Sequence, residues 1–118
     1  MYAALERGGE IGGVRILRPE TVDRAIQVQN DRADLVLGIA PRWRLGFMSA
    51  GVVSVLGPND AGYGHPGLGG TYAGADPKAE VAFALIYDLF GQSELLGSAR
   101  GATISYATVA AAEAARSA

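Results

Sequence analysis

A nine-residue stretch, GYGHPGLGG at 62–70, contains the only histidine of the 118-residue chain together with five glycines and a proline. Imidazole exchanges protons readily near neutral pH, so His65 is the first candidate for chemistry. Pro66 has no N–H and favours extended backbone at His65, so GHPG fits a strand only where one edge is unpaired. The following glycines let a ligand approach the backbone and leave N–H donors exposed. The stretch therefore predicts either one wall of an active site or a tight loop with an incidental surface histidine.

The same glycines also match G-x-G-x-x-G, the fingerprint of a dinucleotide-binding turn. That motif needs a helix to open at its last glycine, whereas Gly67 is followed by strand-forming residues and then by Pro77. We therefore expect no nucleotide cofactor. A metal site is not expected either, because His65 has no second histidine and no cysteine to join it.

The composition excludes several classes of function. A net charge of −2 and a pI near 5.3 provide no basic field that would attract nucleic acid. No apolar stretch approaches the roughly 20 residues of a membrane-spanning helix. The first residues lack the basic and apolar pattern of an export signal, so a cytoplasmic location is the default expectation.

Before the glycine stretch, the pattern predicts two helices and one strand. Residues 1–9 are typical of the last turns of a helix that ends at Gly8–Gly9. Pro19–Gln29 predicts a surface helix with proline at its first position. Residues 43–48 alternate between two sides with a period of two, which predicts a half-buried strand.

The remaining sequence predicts a hairpin and a C-terminal helix. Asp76–Pro77 is a turn signal between two strand candidates, Gly70–Ala75 and Glu80–Asp88. The second strand is apolar on both faces, so both faces of the sheet should be covered. Residues 102–117 predict a helix whose sheet-facing stripe consists of Ile104, Ala107, Ala111 and Ala115. The predicted fold class is α+β, an antiparallel sheet with helices packed on it.

Three segments in this order resemble the C-terminal part of the serine hydrolases related to β-lactamases and penicillin-binding proteins, specifically the class C-like branch that includes many carboxylesterases. They are MYAALERGGEIGGVRILRPETVDRA, RLGFM and GYGHPGLGGTYAGADPKAEVAFALIYD. The resemblance covers almost the whole chain and is densest from 62 to 88. It implies that HPG is the third motif of the family, K-T-G or H-x-G, on a strand lining the cleft. His65 would then meet substrate, Gly67 would form the strand edge, and the Leu68 N–H would be the second oxyanion donor.

The first two motifs of that family are missing from this sequence. No serine is followed three places later by lysine, no tyrosine is followed two places later by asparagine, and G-x-S-x-G is absent. We therefore expect residues 1–118 to form a single partial domain that lacks the N-terminal part with the nucleophile. The first functional hypothesis is a C-terminal fragment of a serine hydrolase, inactive alone. Completed by an N-terminal half, it would act on a small ester, amide or β-lactam-like substrate.

A second hypothesis belongs to a different class of function. The chain could be a non-catalytic structural or interaction module that pairs through exposed sheet edges. Its partner would be an N-terminal segment added as a strand or a second copy of the chain.

Overall fold

The computed structural model describes residues 1–49, 56–86, 88 and 99–118, and shows an α+β fold as expected. A two-stranded sheet has the order β1-β2, and a four-stranded antiparallel sheet has the order β3-β4-β5-β6. In chain order the elements are α1 Tyr2–Glu6, β1 Glu10–Ile11, β2 Val14–Arg15, α2 Pro19–Ile26, β3 Met48–Ser49, β4 Tyr63–Pro66, β5 Tyr72–Asp76, β6 Val81–Leu85 and α3 Ala99–Ser117. Within these ranges no helix combines the length and apolarity needed to cross a bilayer.

The predicted hairpin is confirmed, and its turn is closed by one aspartate. The Asp76 carboxylate is fully buried, and its Oδ1 accepts hydrogen bonds from the backbone N–H groups of Lys78 (2.9 Å) and Ala79 (3.1 Å). This is how an aspartate ahead of a proline stabilises a turn. β5 and β6 are joined in register from Tyr72↔Leu85 to Asp76↔Val81. Tyr87, within the second predicted strand, lies outside the described residues.

Helices cover both faces of the four-stranded sheet, as the apolar second strand of the hairpin predicted. Ala75 belongs to a core cluster with Leu5 of α1 and Val22 of α2. Tyr72 lies three positions earlier on β5 and therefore points to the other face. Its ring lies so close to Gly101 of α3 that a Cβ on that glycine would overlap the tyrosine hydroxyl group. Glycine at this position is what allows the helix to approach the sheet.

The helix predicted over 102–117 is confirmed, but the stripe assigned to its sheet-facing side was wrong. All four residues of that stripe are exposed, and Ile104 retains 41% of its accessible surface. The buried residues of α3 are Gly101, Ser105 and Val109. Apolarity alone misled the prediction, because close approach to Tyr72 requires small residues on the contacting side.

The C-terminal half of α3 is tied to the turn end of the hairpin by polar contacts. The Asn59 amide donates to Asp76 Oδ2 (2.8 Å) and to Glu113 Oε1 (2.9 Å). Arg116 forms an ion pair with Glu80 (2.8 Å). This end of the sheet is therefore closed by side chains from three separate segments.

The strand predicted over 43–48 was wrong, and the helix predicted over Pro19–Gln29 ends earlier than expected. Within residues 43–48, only Met48 belongs to a strand, β3. The chain turns at Leu45–Gly46, where Gly46 has φ +82°. α2 stops at Ile26 because residue 27 adopts extended backbone. The Gln29 N–H then bonds to the Trp43 carbonyl at 2.7 Å instead of continuing the helix.

Arg44 explains why the alternating pattern did not give a strand. Its guanidinium is buried and donates to the Ser49 hydroxyl (2.8 Å) and to the backbone carbonyls of Ile26 (2.6 Å), Asp60 (2.8 Å) and Gly62 (3.3 Å). All four acceptors are uncharged, and burial lowers the pKa of Arg44. The turn at Leu45–Gly46 brings this side chain inward, so that one cation joins α2, β3 and the segment ahead of β4.

Tyr63 is the largest fully buried side chain beneath α1. Its ring contacts Phe47 edge to face at 5.3 Å between centroids, and the Arg44 guanidinium carbon lies 5.6 Å from its centroid. Its hydroxyl is buried and has no hydrogen-bond partner among the described residues. Burial, with the negative charge of Glu6 as a smaller cause, raises the pKa of Tyr63 from 10.0 to about 12.

We expect Arg44→Met to lower the free energy of unfolding by roughly 3–5 kcal/mol, because it leaves three carbonyls and a hydroxyl without their donor. Urea unfolding at neutral pH measures this loss. Arg32→Met is the matched control, since Arg32 is exposed and its guanidinium makes no hydrogen bond or ion pair within the described part of the chain. Equal stability of the two variants would contradict the role given to Arg44.

Tyr63→Phe should leave stability at neutral pH unchanged or raise it, because an unpaired buried hydroxyl costs about 1–3 kcal/mol. The folded pKa is raised, so the contribution of this proton to stability is complete below pH 10 and is lost as pH rises from 10 towards 12. Urea unfolding at neutral pH and across this alkaline range should show a smaller alkaline loss in Tyr63→Phe than in the parent chain. Tyr106→Phe, at a tyrosine that is 40% exposed, is the control. An alkaline loss identical in all three proteins would argue against the assignment.

Candidate functional site

β4 is paired along its whole length on one side and along half of it on the other. β5 pairs with all four residues, including His65↔Ala73 and Pro66↔Tyr72. β3 pairs only with Tyr63 and Gly64. Its ladder stops there because the chain turns away, so within the described residues His65 and Pro66 form an open margin of the sheet.

A groove of about 340 Å³ lies beside this open margin. It is lined by residues 65–67, 71–73 and 84–86, which are the neighbouring ends of β4, β5 and β6 and the residues that follow or precede them. Ala73 and Ala84, which pair across β5 and β6, are among its lining residues. Apart from His65, none of the lining side chains can carry a charge near neutral pH, so the groove presents an apolar surface with one imidazole at its edge.

The imidazole of His65 is exposed, and its orientation is defined by two contacts. Nδ1 lies 2.6 Å from the Pro66 carbonyl oxygen. A carbonyl can only accept a hydrogen bond, so Nδ1 carries the proton of this contact, and Nε2 makes no hydrogen bond to any residue that the structure describes. The ring also stacks on the indole of Trp43, with 6.0 Å between centroids and 24° between planes.

The turn from Gly67 to Gly70 connects β4 to β5 and carries the predicted oxyanion donor. The Gly67 N–H is bonded to the Thr71 carbonyl at 2.5 Å, and a Cβ on Gly67 would lie 2.6 Å from Thr71 Oγ1. Leu68 is 64% exposed. Its N–H makes no hydrogen bond within the part of the chain that the structure describes.

The three predicted site residues are consecutive or nearly so, but they do not share one environment. His65 and Gly67 both line the groove, whereas Leu68 lies just beyond the lining residues on the exposed turn. Gly64 lies inside β4, and the chain continues from Gly67 into β5, so the glycines do not open a helix as a dinucleotide-binding turn would. In the described ranges no three His, Cys, Asp or Glu side chains are grouped to hold a metal ion.

Sequence reasoning missed the contribution of Trp43 and Asp34 to this site. Trp43 is half-buried, and besides stacking on His65 it packs against the buried cluster of Met48 and Leu56. Its indole Nε1 donates to Asp34 Oδ2 at 3.2 Å. An aspartate followed four residues later by Gly38 is a turn signal, but nothing local shows that this turn meets the tryptophan.

The Asp34 carboxylate is also held by backbone groups of its own loop. Its Oδ1 accepts hydrogen bonds from the N–H groups of Val36 (2.9 Å) and Leu37 (3.0 Å). These backbone bonds, with a smaller contribution from Trp43, lower the pKa of Asp34. The carboxylate therefore stays ionised through the neutral range and provides a fixed acceptor for the indole N–H.

Comparison with known proteins shows the family of the chain. The family model described as Beta-lactamase matches residues 2–106. The Esterase/beta-lactamase LipL of Mycobacterium tuberculosis (strain ATCC 25618 / H37Rv) is 38% identical over 92 residues, which cover 75% of this chain and 20% of the relative.

Two solved structures share the fold and also extend well beyond this chain. A penicillin-binding protein homolog from Caulobacter crescentus has a TM-score of 0.85 at 31% identity, covering 92% of this chain and 29% of its own. A family VIII carboxylesterase has a TM-score of 0.78 at 28% identity, with the same two coverages. This chain therefore spans less than a third of the length of these relatives. The family match and the identity to LipL together show that the chain belongs to the Beta-lactamase family of serine hydrolase-like proteins.

Proposed function

We propose that this chain forms the histidine-bearing wall of an acyl-transfer site in a β-lactamase-related serine hydrolase, and that the nucleophile comes from polypeptide outside these 118 residues. The observation that carries the proposal is the exposed imidazole of His65 at the open margin of β4, directly beside a groove. An exposed polar side chain on an unpaired strand edge can meet a substrate without disturbing the core.

The relatives support the reaction class. Their names are esterase, beta-lactamase and carboxylesterase, which denote hydrolysis of esters and β-lactams. The absence of S-x-x-K from this sequence supports a nucleophile supplied from elsewhere. The proposed substrate is a small ester or β-lactam-like molecule.

The chemistry assigned to this wall follows from its hydrogen-bonding groups. In acyl transfer a serine oxygen attacks the carbonyl carbon, its proton passes to a base, and the negative charge that develops on the carbonyl oxygen needs N–H donors. The Leu68 N–H would be one such donor. With Nδ1–H on the Pro66 carbonyl, neutral His65 offers Nε2 as an acceptor for a hydroxyl proton, and protonated His65 offers Nε2–H to a substrate oxygen.

The first experiment uses the 118-residue chain alone. We expect no covalent labelling by a fluorophosphonate probe and no hydrolysis of 4-nitrophenyl butyrate or nitrocefin above the buffer rate, because the sequence has no S-x-x-K to supply the serine nucleophile and its lysine. Labelling of the chain by the probe would overturn the proposal.

The second experiment joins the chain to the polypeptide encoded in frame ahead of Met1, in which we expect an S-x-x-K motif. In that protein, His65→Ala should lower kcat/KM at least about 100-fold. Leu68→Pro, which removes the N–H, should lower kcat about 100- to 1,000-fold, whereas Leu68→Ala should not. Lys78→Ala is the control, because Lys78 lies at the turn end of the hairpin. An upstream sequence without S-x-x-K, or activity insensitive to His65→Ala, would reject the proposal.

One observation favours the non-catalytic alternative as a second candidate. β6 is the last strand of the four-stranded sheet, and within the described residues its outer edge is unpaired. The adjoining Ile86 is 83% exposed. An open edge beside an exposed apolar residue can add a strand from a second copy of the chain.

This alternative predicts that the isolated chain self-associates. Size-exclusion chromatography with light scattering should then show a concentration-dependent oligomer. Ile86→Lys should shift it towards monomer, because a charge at a sheet edge opposes strand addition. Leu35→Lys changes an even more exposed apolar residue, in the loop between α2 and β3, and should have no effect. A monomer at every concentration would contradict the alternative.

A further inference from the structure

Trp43 and His65 are the only tryptophan and the only histidine of the chain, and their rings are stacked. The interplanar angle of 24° and the centroid separation of 6.0 Å describe an offset stack. Aromatic rings prefer this geometry to a direct face-to-face arrangement. The stack therefore restricts rotation of an imidazole that is otherwise exposed to solvent.

The indole is fixed independently of the histidine. The backbone carbonyl of Trp43 accepts hydrogen bonds from the N–H groups of Gln29 (2.7 Å) and Asn30 (3.1 Å). Its ring packs on the cluster of Met48 and Leu56. Its Nε1 donates to Asp34, whose other oxygen is held by two backbone N–H groups. The Trp43 ring is thus fixed in place, and the imidazole packs against it. The stack does not depend on a molecule occupying the groove.

A surface of this kind can select one orientation of the imidazole. An exposed histidine side chain rotates about two bonds, and its neutral ring can carry the proton on either nitrogen. The stack constrains the ring plane, and the contact between Nδ1 and the Pro66 carbonyl selects which nitrogen carries the proton. Both contacts are needed to hold one orientation. Without the stack, the imidazole could rotate away from the Pro66 carbonyl and bond to water instead.

We propose that Trp43, held by Asp34, is a positioning residue that keeps the His65 imidazole in its Nδ1–H form with Nε2 free to act at the site. What the ring is positioned for rests on the proposed function, whereas the arrangement of the rings does not. Asp34 contributes through the indole alone, since its second carboxylate oxygen is the acceptor for the indole N–H. Trp43 and Asp34 act through the His65 imidazole and do not contact the reacting atoms themselves.

The test uses nuclear magnetic resonance on the 118-residue chain at a pH where the imidazole is neutral. Long-range proton–nitrogen correlations of the single histidine distinguish the protonated from the unprotonated ring nitrogen. In the parent chain we expect the Nδ1–H form, with nuclear Overhauser contacts between the imidazole and indole protons. The expected result in Asp34→Asn is a mixture of the two tautomers and loss of most of those contacts.

Asp34→Asn separates the indole contact from the turn. The amide oxygen of asparagine still accepts the Val36 and Leu37 N–H groups, but its NH₂ group cannot accept the indole N–H. Asp31→Asn is the matched control, since Asp31 is exposed in the same loop and has no side-chain partner within the described residues. It should give the tautomer and contacts of the parent chain.

Trp43→Leu provides a second variant that removes the stack itself and should give the same mixture of tautomers. If Trp43→Leu does not fold, the tautomer of His65 in Asp34→Asn still tests the inference, because that substitution lies in a loop. An unchanged tautomer and unchanged ring contacts in Asp34→Asn would overturn the inference and leave the proposed function standing. Conversely, activity insensitive to His65→Ala in the joined protein would reject the proposed function, while the effect of Asp34→Asn on the tautomer would remain.

Discussion

The buried guanidinium of Arg44 is the interaction on which the site end of this fold depends. It gathers carbonyl groups from the end of α2 and from the segment ahead of β4, and it fixes the hydroxyl of Ser49 in β3. A buried cation is costly unless all of its donors are satisfied, so the surrounding backbone has few alternative arrangements. The sharp turn that takes β3 away from β4 follows from the need to bring this side chain inward.

That turn determines where the sheet is open. Because β3 leaves β4 after Gly64, the next two residues of β4 have a neighbour on one side only within the described ranges. At the opposite end of the hairpin, Asp76 is fully buried and Asn59 connects it to α3. The sheet thus has a closed end held by polar contacts and an open end beside a groove, and His65 lies at the open end.

The sequence predicted correctly those features that depend on residues close together in the chain. Asp76 before a proline, flanked by apolar strands, determined the hairpin, and Pro66 correctly indicated that its strand would have an unpaired edge. The failures involve contacts between distant segments. The contacting side of α3 depends on Gly101 meeting Tyr72, and the turn after Trp43 depends on acceptors that Arg44 finds elsewhere in the chain.

The candidate site divides in the same way. The extended backbone of His65 could be predicted, because the proline that follows it restricts that backbone. Its partners could not, because Asp34 and Trp43 are brought to it by tertiary packing rather than by a sequence motif. Resemblance to a known family predicts a role for HPG, which stays a prediction, and it contains no information about the indole ring that stacks on His65.

Because the single tryptophan stacks on the single histidine, the intrinsic fluorescence of the chain reports on the surroundings of His65. Excitation at the red edge of protein absorbance selects tryptophan, so all of the emission would come from one ring that lies against the proposed active-site wall. A molecule entering the groove would alter the solvent around His65 and the indole stacked on it. Occupancy of the site could therefore be followed by fluorescence intensity, without attaching a label and without waiting for turnover.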